Sequence, residues 1–77
     1  MENILKSIIY QFEKLGISQE YLSDLLLDLE MGTIEPYNVA WAVKGYLRCS
    51  NHAKQLDSAY FDRFYDSVNE WLAHESN

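Results

Sequence analysis

The stretch LDSAYFDRFYDSVNEWLAH, from Leu56 to His74, decides the fold. Within it Phe61, Phe64, Tyr65, Val68, Trp71 and Leu72 recur three and four positions apart, the period that gathers side chains on one side of a helix. Leu56, Asp57 and then Phe61 have the form of an apolar residue, a carboxylate cap and a second apolar residue that staples back across the cap. The spacing therefore predicts a helix from near Ser58 to about His74. The polar run from Ser50 to Asp57 reads as the loop before it.

The same period continues upstream. Ile4, Leu5, Ile8, Ile9, Phe12 and Leu15 mark the buried face of a helix over about 2–15, with Gly16 as a left-handed stop. Ser18 is placed to cap a second helix over about 19–31, where Tyr21, Leu22, Leu25, Leu26 and Leu29 form the apolar face and Gly32 ends it. Pro36 suits the first turn of a third helix, because its fixed φ is helical and its missing donor is not needed there. That helix runs to about Cys49. Four helices with short connections predict an all-α, compact four-helix bundle, folded as one domain over residues 1–77.

Composition agrees. Seventy-seven residues, 48% apolar and 14% aromatic, suffice for one small core and not for two. Three glycines and one proline argue against a disordered chain. Cys49 is the only cysteine, so no internal disulfide can form, and a reducing cytoplasmic location fits. The longest apolar run, Val39 to Val43, is far too short to span a bilayer, and no export signal opens the chain. Twelve carboxylates against six Lys and Arg give a formal charge of −6. Such a chain repels phosphate backbones and attracts basic protein surfaces over about 8 Å at physiological salt.

The carboxylates are also patterned. Glu20, Asp24 and Asp28 occupy i, i+4 and i+8 of the second helix, and Asp62, Asp66 and Glu70 repeat the arrangement on the fourth. Each row lies roughly 150° from its helix's apolar direction and so faces solvent. Like charges at i,i+4 oppose helix formation by about 0.2 to 0.5 kcal/mol per pair, so four pairs oppose folding by roughly 1 to 2 kcal/mol. Glu30 and Glu35 bring residues 20–35 to five carboxylates with no Lys or Arg. Either these are ordinary solvated faces or they form a docking surface for a cationic partner.

A second strip, Tyr37, Trp41, Lys44 and Arg48, runs along the third helix. Either neighbouring helices bury it, with the cationic tips reaching out, or Tyr37 and Trp41 are exposed anchors for another protein. Gly45 weakens this helix by about 1 kcal/mol relative to alanine, which predicts close approach of another backbone. Two cations are too few for a nucleic-acid surface. Cys49, His52 and His74 make a poor metal set, and they read instead as a partly buried thiol, a solvated loop histidine and a separate helical one. Neither catalytic residues nor a cofactor site are expected: no glycine-rich phosphate loop is present, and the carboxylates sit on solvated faces where nothing tunes them.

In length, acidity, helix count and surface aromatics, the whole chain resembles the small bacterial immunity proteins that neutralise nuclease toxins of the colicin or contact-dependent growth-inhibition kind. The adjacent tyrosines of the helical colicin-DNase inhibitors are absent, Tyr60-Phe61 and Phe64-Tyr65 being the nearest adjacent aromatics. The resemblance implies a cytosolic antidote that binds the toxin's nuclease domain tightly and performs no chemistry. Partner contact then falls to Glu20, Asp24, Asp28, Glu30 and Glu35, to Asp62, Asp66 and Glu70, and to Tyr37 and Trp41 as anchors. Two other readings share these features: a phage or mobile-element regulator that mimics nucleic acid, and a structural subunit that associates with itself. Oligomeric state is left open.

Overall fold

The computed structural model describes residues 1–75 and is an all-α four-helix bundle. Its helices are α1 (Glu2–Lys14), α2 (Glu20–Met31), α3 (Pro36–His52) and α4 (Ser58–Glu75). Each contributes its periodic residues to one core: Leu5, Ile8 and Phe12 from α1, Leu22 and Leu25 from α2, Val39, Val43 and Leu47 from α3, and Phe64, Val68 and Leu72 from α4. Phe12 is fully buried, with its ring 6.0 Å from Tyr46 and 6.3 Å from Phe64, so it ties three helices together. Truncating such a residue to alanine costs about 3 to 5 kcal/mol, a large part of the stability of so small a domain.

Three helix ends share one chemistry. After α1, the amides of Gly16 and Ile17 bond back to the carbonyls of Glu13 and Phe12; after α2, those of Gly32 and Thr33 bond to Leu29 and Asp28. Gly16 and Gly32 hold the left-handed conformation this closure requires, at φ 73° and 74°. After α3 the amides of Lys54 and Gln55 bond to Asn51 and Ser50 in the same pattern, but the left-handed residue is Lys54 at φ 61°.

That closure explains why α3 runs three residues past the expected end at Cys49. Ser50, read as loop, is buried, and its carbonyl accepts the amides of both Gln55 and Leu56. The Asn51 amide donates to the Leu56 carbonyl at 3.1 Å, and Leu56 itself is buried. Asp57 then caps α4 as expected, its carboxylate accepting the Ala59 amide at 3.1 Å.

Other local expectations fail. Ser18 does not cap α2: Gln19 takes that position without a side-chain bond, and Ser18 instead offers its carbonyl to the Tyr46 hydroxyl at 3.0 Å. Leu15 and Tyr21 belong to the rim and not to the buried face, with Tyr21 exposed beside the Tyr46 ring at 4.9 Å. No backbone approaches Gly45 closely, since a Cβ built there meets nothing within 4 Å.

Candidate functional site

Burial of the apolar stripes fixes where the carboxylates point. Glu20, Asp24, Glu30 and Glu35 are exposed, as are Asp62, Asp66 and Glu70. Asp28 is half-buried because the Thr33 hydroxyl donates to its carboxylate at 3.1 Å and to its carbonyl at 3.2 Å. Glu30 lies about 120° around α2 from Asp24, off the Glu20–Asp24–Asp28 line.

The cations lie elsewhere. Among the described residues the one ion pair joins Lys6 to Glu2 within α1, at 2.9 Å. The hydrogen bond and charge of Glu2 raise the Lys6 pKa above the ordinary lysine value, with the charge of Glu30 adding a weaker push in the same direction. Four other cations sit over aromatic rings: Lys14 over Tyr10, Lys44 over Trp41 and Tyr65, Arg48 over Tyr65, and Arg63 over Tyr60 and Phe64. Neither row on α2 or α4 has a Lys or Arg within ion-pair distance among the described residues. The repulsion along each row is thus not relieved by a salt bridge.

Two residues of this surface carry no weight in the sequence reading. Leu27 is 55% exposed and Met31 67%, the most exposed of the large apolar side chains. They are one turn apart, and helical geometry places both on the outward face of α2 with Glu20 and Asp24. Their angle, roughly 150° from the centre of the Leu22, Leu25 and Leu29 face, was the available signal.

On α3, Tyr37 and Trp41 are half exposed, their rings 6.4 Å apart and edge to face. Burial of this strip on two sides does not occur. Lys44 buries its stem against Trp41 and Tyr65 while its ammonium still touches water, and Arg48 is exposed and donates to the Tyr65 hydroxyl. Cys49 is exposed and not partly buried, and His52 closes α3 where a loop was expected. Among the described residues no group of three or more His, Cys, Asp or Glu is arranged to hold a metal ion. No helix among them is long and apolar enough to cross a membrane. No protein-family model matches the chain, and neither a curated protein nor a solved structure is significantly similar to it.

Proposed function

We propose that this chain is a non-enzymatic binding protein of the immunity or antitoxin type, which neutralises a cationic nuclease toxin in the cytoplasm by tight association. One observation carries the reading: among the described residues the carboxylate rows of α2 and α4, exposed except at the half-buried Asp28, have no internal ion pair, while four of the six Lys and Arg lie on aromatic rings. Glu-to-Lys pairs at the same spacing would have stabilised these helices, so the rows are not explained by folding. A basic cleft supplies the missing counter-charge. Successive carboxylates rise about 6 Å along the helix, comparable to neighbouring phosphates of a single strand, so a row can occupy the positions where such a cleft holds its substrate. Leu27 and Met31 add apolar contact that a pure phosphate mimic lacks, which favours a protein antidote over a nucleic-acid-mimicking regulator.

The test is inhibition. The product of the neighbouring reading frame, expressed as a nuclease domain, loses activity at one equivalent of this chain under the proposal. Full nuclease activity at a large excess would overturn it.

A further inference from the structure

One surface of this acidic chain has the opposite character. Along α3, Tyr37, Trp41, Lys44 and Arg48 share a face, and α4 adds Tyr65, stacked on Phe61 at 4.9 Å. The Lys44 ammonium lies 4.1 Å from the Trp41 ring centre and 5.0 Å from that of Tyr65. The Arg48 guanidinium lies 5.7 Å from the same Tyr65 ring and donates to its hydroxyl. Two cations thus gather around one phenol.

Lys44 is only 8% exposed, yet among the described residues no carboxylate lies within ion-pair distance of it or of Arg48. The Lys44 stem is buried between the two rings, but its ammonium, which makes no hydrogen bond among the described residues, still touches water, since no buried polar side-chain atom among them is left without a partner; an incoming carboxylate can therefore reach it. Lys44 and Arg48 are also an i,i+4 pair of like charge, which adds a small repulsion. With twelve carboxylates in the chain, an internal partner was available and is not used. Beside this cation, Trp41 and Tyr37 leave half their area uncovered.

We infer that the Tyr37–Trp41–Lys44–Arg48 strip, with Tyr65, is a docking site for a protein segment that presents a carboxylate beside apolar side chains. The carboxylate completes Lys44 and Arg48, and the apolar residues cover Trp41 and Tyr37. Trp, Tyr and Arg are the side chains in which interface energy concentrates, and all three are present here. A polyanion is a poor occupant, because its affinity grows with the number of phosphates neutralised and a net charge of −6 surrounds these two cations. The inference is independent of the carboxylate rows and stands if they have no cationic partner.

The experiment follows the Trp41 indole and Arg48 side-chain signals by 15N NMR during addition of a capped peptide alternating Glu and Leu. Parallel titrations use the same peptide with Gln for Glu, with Lys for Glu, and inorganic phosphate. The Glu peptide is expected to shift both signals saturably, and the Gln peptide to bind at least tenfold more weakly. Arg48→Gln, an exposed change that leaves the core intact, should weaken the Glu peptide severalfold, and Lys44→Met with Arg48→Gln at least tenfold. Asp24→Lys with Asp28→Lys should not weaken it, which separates this site from the α2 row. The inference is overturned by Gln or Lys peptides that bind as tightly, by phosphate that does the same, or by no shift at millimolar peptide. It is also overturned, in favour of a second copy of the chain, if the same signals move on dilution without peptide.

Discussion

The carboxylate rows of α2 and α4 have the same spacing and different neighbours. On α2 the outward face that carries Glu20 and Asp24 also carries Leu27 and Met31, both more than half exposed. On α4 the corresponding positions, seven residues after Asp62 and Asp66, are held by the polar, half-buried Asn69 and the small, exposed Ala73. Charge alone attracts a partner and sets its approach, whereas uncovered apolar area removed from water holds it. Under the proposed function α2 is therefore the contact surface, and α4 adds to the field that steers the partner in.

The largest effect should come from the apolar pair. Leu27→Ala with Met31→Ala is expected to raise the dissociation rate from the nuclease partner by about a hundredfold, roughly tenfold for each lost anchor. Because both side chains are exposed, thermal unfolding should change by no more than about 0.5 kcal/mol. Unchanged dissociation would erase the distinction between the two rows.

Next comes charge. Asp24→Lys with Asp28→Lys should slow association by about tenfold or more at low ionic strength, measured by stopped flow. The matched pair on α4, Asp62→Lys with Asp66→Lys, should slow it less. Equal effects would mean that the rows steer together and neither is preferred.

How far these features could be read in advance depends on the range over which they are determined. The ends of α1 and α2 and the start of α4 follow from neighbours in sequence, Gly16 and Gly32 at left-handed positions and Asp57 as a cap, whereas the start of α2 does not, since Ser18 makes no cap. The end of α3 was hidden because Lys54 occupies the position that glycine marks elsewhere, and because Ser50 and Asn51 are polar residues used inside the fold. The outward direction of the rows was legible, since the helical period fixes an angle once the apolar face is known. Leu27 and Met31 were lost in a leucine-rich run although their angle set them apart. The state of Tyr37, Trp41 and Lys44 was not legible, because it depends on where α4 places Tyr65 and on how much of the strip a neighbouring helix covers.

Smaller effects sharpen the comparison through stability. Asp24→Asn and Asp66→Asn each remove two like-charge pairs, and each should stabilise the fold by roughly 0.4 to 1 kcal/mol in urea denaturation. Equal gains in stability with a loss of binding only at Asp24 would show that the rows are alike for folding and unlike for function. A loss of stability at either position would mean that the row there has an internal partner. The smallest effect is at the α1 ion pair. The Lys6 pKa is raised in the folded state, so its contribution is complete below the unfolded lysine value and is lost as pH rises through the folded one. Glu2→Gln should therefore narrow its stability difference from the wild type only in strongly alkaline solution.

The central claim is that solvent-facing rows of carboxylates, left without salt bridges inside the molecule, serve a cationic partner. Its most direct test is the association rate of the unaltered chain with the nuclease domain that the proposed function expects to be encoded beside it, measured across ionic strength from about 10 mM to 1 M, where the screening length falls from about 30 Å to 3 Å. A rate that drops steeply and continuously over this range is the predicted result. A rate indifferent to salt would contradict the account.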